Sequence, residues 1–216
     1  MITSIARNDN WTLKPISVNP MLGPSSATLV EMGAKDSRLI VQEGQAWRVL
    51  SAMFLHAGLI HFTLNMLALW FIGKAIEQCH GFFASMLLFV APGIGGTILS
   101  AIFLPNFISV GASGGIFGLI GACLADICMN WGLLFNDFVN NNDRNKHSNM
   151  YVLLVLVLDI FVNCLIGLTP FVDNFTRECF IHAQCFAYYY TRTHTKNKPF
   201  SNASIPFTSI LQTWEE

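Results

Sequence analysis

Residues 78–125 read QCHGFFASMLLFVAPGIGGTILSAIFLPNFISVGASGGIFGLIGACLA, 48 positions without one Asp, Glu, Lys or Arg. Soluble domains carry charge on about a quarter of their residues, so a stretch this long without any has no means of facing water. Widening the window to residues 49–135 adds only Lys74, Glu77 and Asp126. The apolar residues do not alternate, so the run reads as helix. Lipid admits only helices and closed barrels, because every backbone polar group must be satisfied internally. A helix needs about 20 apolar residues to cross about 30 Å of hydrocarbon. Four spans are expected. The first is 60–76, preceded by the apolar stretch 47–59. The second is 82–104, broken by Pro92-Gly93 and Gly95-Gly96. The third is 113–131, short and glycine-rich. The fourth is 150–168, stopped by Pro170.

The whole chain agrees with its centre. It has 216 residues, 53% apolar and 12% charged, with a net charge of −1, and its mean hydropathy is +0.49. That composition excludes a soluble globule and a disordered chain. Without a basic surplus it also excludes nucleic acid as a partner. The connection 136–149 is a polar loop, and residues 1–46 are polar and loop-like, with Asn19-Pro20 and Gly23-Pro24. They hold no apolar core of the kind a signal peptide needs. Residues 179–190 are apolar but reach only about 18 Å as a helix, too short to span, and a basic tail follows. No internal repeat is visible. The six cysteines show no metal spacing. Cys123, Cys128 and Cys164 sit in apolar runs, and a Cys179/His182/Cys185 site is the weaker reading. No metal and no cofactor are expected.

Polar residues inside a span are costly and are functional candidates by default. His56, His61, Asn65 and Ser113 stand out. Ser113 lies in Gly111-Ala-Ser-Gly-Gly115 at the start of a span. Unpaired N–H groups at a helix start can cap onto a serine or stabilise an oxyanion. Gly114, Gly118 and Ala122 fall four apart as a small-residue packing strip. Ser113 is therefore either a helix cap within a packing face or a nucleophile. The match to G-x-S-x-G requires a strand–turn–helix in a soluble sheet, which the charge-free run opposes. His61 and Asn65 share one helix face. They can hold a carbonyl oxygen as it gains charge, or simply bond neighbouring helices. His56, in the entry segment, reads as an ordering residue.

Trp47-Arg48, His56-Ala-Gly-Leu-Ile-His61, Asn65-Met66 and Gly111-Ala-Ser113-Gly114 with the following Ile-Phe-Gly-Leu-Ile-Gly-Ala resemble a rhomboid intramembrane serine protease. The run Asn19-Pro-Met-Leu-Gly-Pro-Ser-Ser26 and Val172-Asp-Asn-Phe175 are similar to the plant-type eukaryotic secretory branch. The resemblance covers about residues 12–176. It implies an all-α, multi-span transmembrane helical bundle of six core helices, about four of them present here. It divides the chain into a polar extracytoplasmic segment (1–46), a partial rhomboid-like membrane domain (47–176) and a divergent tail (177–216). By resemblance Ser113 is the nucleophile, and His61 and Asn65 join the Ser113 N–H as the oxyanion site. Gly111, Gly114 and Gly118 serve packing, with Gly114 against the helix that carries the base. Trp47-Arg48 belongs to the first loop.

The likeness fails at the base. Where the family's last helix carries its general-base histidine, this chain has Arg177, in Asp173-Asn-Phe-Thr-Arg177-Glu-Cys. Arginine stays protonated and cannot accept the serine proton. His182, five residues on, falls about 140° round the helix and about 7.5 Å along it, off the face where a substitute base is needed; His194 is farther still. In the family's orientation nine Lys/Arg lie outside (Arg7, Lys14, Lys35, Arg38, Arg48, Arg177, Arg192, Lys196, Lys198). Three lie inside (Lys74, Arg144, Lys146), against the positive-inside rule. Together these predict a chain that lost the first and last family helices through truncation, splicing or a gene-assignment error. Asn10, Asn174 and Asn202 open glycosylation sequons that would face outward.

The expected function is hydrolysis of peptide bonds in single-span membrane proteins, by an integral, multi-pass protein of the Golgi or another endomembrane. The alternative is a catalytically inactive relative that binds membrane-protein clients. A small transporter or channel built on Asp126 and Asp159 is a third reading.

Overall fold

The computed structural model describes residues 13–129 together with 154, 157 and 158. Among these residues the fold is all-α. Its β pairing is one isolated antiparallel bridge between Lys35 and Ser109.

The N-terminal part is less loop-like than its polarity suggests. Ser25 accepts the Thr28 N–H and starts α1 (Ser26–Glu31). Asp36 accepts the N–H groups of Arg38 and Leu39 and starts α2 (Ser37–Val41). Each cap satisfies donors that a helix start leaves over, which is enough to fix these short turns. The end of α1 and the turn after it are tied to α3 (Arg48–Ser51). The Arg48 Nη1 donates to the carbonyls of Val30 at 2.6 Å and Ala34 at 3.0 Å, and its Nε to Gln45 at 2.7 Å. A 3₁₀ turn, Ala52–Phe54, leads on to the membrane helices.

The first of these is a continuous 22-residue run, Leu59–His80. It comprises α4 (Leu59–Ala68), a π turn (Leu69–Gly73) and α5 (Lys74–His80). It ends four residues later than the expected 76, at Gly81 with φ +82°. Such a conformation suits glycine and stops helices. The second is α6 (Phe82–Phe103). It is unbroken, contrary to the expected interruption at Pro92 and the glycines. Proline 92 has no N–H for the Leu88 carbonyl, but that carbonyl lies against Gly118 of the next helix. Proline is tolerated inside membrane helices that pack against neighbouring helices. Both runs are long and apolar enough to cross a membrane.

The third is α7 (Ser113–Met129), 17 residues and shorter than a full span. It is buried on every side from 115 to 123. Its Ile116, Phe117, Leu119 and Ile120 form the core with Ile72, Ile76 and Leu88. Glycines let α6 approach α7 closely: Gly114 meets Gly93, and Gly115 meets Phe89. The serine helix is thus the axis of the described bundle, while Trp70, Phe83 and Ile102 of the surrounding helices are exposed, as lipid-facing side chains are. The expected end at Trp131 lies outside the described residues. So does the fourth span, apart from Leu154, Val157 and Leu158, which are exposed.

Candidate active site

Ser113 is half-buried at the first position of α7. The Ala112 carbonyl accepts the Ile116 N–H at 3.0 Å, so the helix begins here. The N–H groups of its first turn therefore have no partner within the helix. The approach to Ser113 is made by Gly111, whose φ is +125°. Its N–H is held by the Ala52 carbonyl at 2.9 Å. A Cβ at 111 would lie 2.7 Å from His61 Cε1 and 3.0 Å from Nε2. Glycine is needed both for the backbone conformation and for the space the imidazole occupies.

His61 stands in the first turn of α4. Its Nδ1 accepts the Ala57 N–H at 3.4 Å, a long bond that nonetheless assigns the proton to Nε2. In that tautomer Nε2 is a hydrogen-bond donor and not a proton acceptor. His56 braces the ring from behind. It is buried, its ring centroid 5.5 Å from that of His61 and 5.1 Å from that of Phe62, both edge-on. Burial, reinforced by the neighbouring His61, pushes the His56 pKa down from 6.5 to about 4, the Phe54 backbone acting weakly the other way. His56 is therefore neutral at ordinary pH and orders the entry segment.

Ser113 and His61 line one cavity of about 310 Å³. Gly93, Gly96 and Thr97 of α6 form one wall, and Ile108 to Gly111 another. A third wall is a strap from the N-terminal segment, Val18, Asn19, Pro20, Met21, Ser25 and Ser26. The strap is sewn to the start of α4. The N–H groups of Leu59 and Ile60 donate to the carbonyls of Leu22 at 3.0 Å and Met21 at 3.3 Å. The Asn19 amide donates to the Ala57 carbonyl at 2.9 Å. The Leu22 and Met21 carbonyls thereby satisfy donors at the helix start that carries His61.

Asn65 is not among the residues lining this cavity. It is buried one turn beyond His61, and its Nδ2 donates to the His61 carbonyl at 2.8 Å. Gly114 touches Gly93 in the second span; the helix that the resemblance assigns to the base lies outside the described residues. Outside them too are Arg177, His182, His194, the Cys179/His182/Cys185 triplet, Asp159 and the three sequon asparagines. Asp126 faces the bundle and meets His80 Nε2 at 2.7 Å. That pair sits about 28 Å along the helix from His61. Among the described residues no group of three or more His, Cys, Asp or Glu is placed to hold a metal ion. The strap and His80 are what the sequence reading missed as neighbours of functional candidates; neither contact leaves a local signature.

The family model for the rhomboid domain matches residues 43–191. The chain is 42% identical over 165 residues to RHOMBOID-like protein 6, mitochondrial, of Arabidopsis thaliana, covering 76% of this chain and 50% of that protein. It is 34% identical over 166 residues to the same plant's Inactive RHOMBOID-like protein 8, covering 76% and 44%. It is 46% identical over 100 residues to Rhomboid protease GluP of Bacillus subtilis (strain 168), covering 46% and 19%. The chain spans about half the length of the curated plant relatives it matches, or less.

Proposed function

The chain belongs to the rhomboid family, and from that premise we propose that it is a membrane-integral serine endopeptidase acting on single-span membrane proteins. The observation that carries the reading is the shared cavity of Ser113 and His61 at the start of a buried helix. Ser113 Oγ would attack the scissile carbonyl carbon. As the carbonyl oxygen gains charge, the Ser113 N–H and the His61 Nε2–H would donate to it. Fixed donors aimed at a developing oxyanion are a large catalytic term. Asn65 joins them only if its amide leaves the His61 carbonyl when substrate binds. Removing the Ser113 proton requires a base, and Arg177 occupies the matching position of the sequence. The proposed compartment is the Golgi or another endomembrane, supported by the secretory-type run 19–26; a relative's name specifies mitochondria, and imaging of a tagged chain distinguishes them.

Arg177 favours a second reading, an inactive relative that binds client helices, and one relative is itself named inactive. The test uses the full chain in bilayer nanodiscs with a fluorophosphonate probe and a model single-span substrate. Labelling that Ser113→Ala abolishes, together with substrate cleavage, supports the protease. A folded sample that neither labels nor cleaves, yet retains the substrate helix, establishes the client binder instead. Arg177→His restores a residue able to accept the proton, and general-base catalysis contributes about 10²–10⁴-fold. Labelling is expected to rise by at least about tenfold in that variant, and an unchanged rate removes Arg177 as the missing base position.

A further inference from the structure

Lys35 is fully buried, 0% exposed, in a segment whose sequence reads as polar loop. Its Nζ donates to the Leu104 carbonyl at 2.7 Å and the Phe107 carbonyl at 2.8 Å. These carbonyls belong to the turn that closes α6. The helix dipole favours a cation at this end, and Nζ joins the Phe107 N–H, 3.2 Å away, as a donor to the Leu104 carbonyl. The Lys35 backbone grips the same loop further on. Its N–H donates to the Ser109 carbonyl at 3.0 Å, and its carbonyl accepts the Ser109 N–H at 3.3 Å. Four hydrogen bonds from one residue therefore fix 104–109. Overlapping its end, Ile108 to Gly111 wall the cavity, and two residues past Gly111 comes Ser113.

We propose that Lys35 is a positioning residue for the site. Through the 104–111 loop it sets where α7 starts, and with it the orientation of the Ser113 N–H and hydroxyl. Its side chain is not needed to touch substrate. A methionine there preserves bulk but takes the Nζ donor from both carbonyls, leaving Leu104 only the Phe107 N–H at 3.2 Å, a net loss for each bond removed. The catalytic consequence rests on the protease reading above; the structural consequence does not.

The experiment compares the full chain and its Lys35→Met and Lys35→Arg variants in nanodiscs by amide hydrogen exchange and by fluorophosphonate labelling. Lys35→Met is expected to speed exchange at 105–111 by about tenfold or more, with the α7 core at 116–123 unchanged. The labelling rate constant per folded molecule is expected to fall by a similar factor, with Lys35→Arg restoring most of it. A residue that merely supports folding would lower the labelled fraction and leave the rate constant intact, and that result overturns the proposal. So does loop exchange that matches the unmodified chain. If the unmodified chain does not label at all, the protease reading falls and the exchange pattern alone decides. If Lys35→Met does not fold, the unmodified chain answers. Its Lys35 and Ser109 amides must open together, and independent rates overturn the proposal.

Discussion

A side chain at position 111 has nowhere to go. With φ at +125° the backbone itself disfavours any L residue, and the built Cβ lies 2.7 Å from the His61 ring. Gly111→Ala is expected to cost about 1–3 kcal/mol in backbone strain and to push the imidazole out of the cavity. Thermal unfolding in detergent measures the first effect and fluorophosphonate labelling the second. A variant with unchanged stability and labelling would show that the ring is not held against Gly111. His56 supports the same ring in a pH-dependent way. Its pKa is about 4 when folded, against 6.5 unperturbed, so the unfolded chain binds more protons between those values. Its contribution is therefore complete above about pH 6.5 and is lost as pH falls towards 4, by up to roughly 3 kcal/mol. Melting temperature should fall across that window, and His56→Phe, which keeps an aromatic ring against Phe62, should flatten part of the fall. An unaltered slope would assign the effect to other groups. At this scale the sequence was legible where chemistry is local. Ser113 and His61 were recognisable and do share a cavity, whereas Asn65, on the same face by spacing, spends its amide on its own helix.

Between elements, the α6–α7 contact decides the stability of the described bundle. Hydrophobic effect alone does not hold two helices together in lipid, so close packing through small residues has to. A Cβ on Gly118 would overlap the Leu88 carbonyl oxygen and lie 2.5 Å from the Pro92 ring. Gly118→Val would force the helices apart at the point where Pro92 packs against its neighbour, at about 2–4 kcal/mol. Gly95, one helical turn from that interface residue's partners, has nothing within 4 Å of a built Cβ. Gly95→Ala should be neutral or stabilising by up to about 1 kcal/mol, since alanine is the better helix former. Chemical denaturation of the two variants side by side checks both, and equal losses would refute the interface assignment. Charge depletion made the long helices readable, because excluding water is a property of every residue in a span. The continuity through Pro92 was not, since the residue packed against it, Gly118, lies twenty-six positions away. The same holds for the π turn, which the hydropathy pattern does not distinguish from α-helix.

For the molecule as a whole, the N-terminal segment is part of the site and not an appendage to it. Its polarity reads as loop because single positions make the attachment: Lys35 reaches residues 69 and 72 positions ahead, and Asn19 one 38 ahead. Contacts so distant in sequence leave no periodic trace. Asn19 makes three of them or their local supports: Nδ2 to the Pro24 carbonyl at 3.0 Å and to the Ala57 carbonyl at 2.9 Å, and Oδ1 from the Met21 N–H at 2.9 Å. The second also holds the turn before His61, while the others shape the strap wall. Asn19→Ala removes all three bonds yet leaves the helices their own packing. The expected outcome is local release of about 1–3 kcal/mol, seen as earlier protease cleavage within 13–25 and faster amide exchange at Leu59 and Ile60, whose donors the strap accepts. The α6–α7 core should remain protected, because local opening draws only on the bonds it breaks. Cleavage unchanged from the parent chain would mean that the Gly23–Gly58 backbone approach, and not Asn19, carries the attachment. Gly58→Ala, which places a Cβ against the Met21 carbonyl, would then release the strap in its stead.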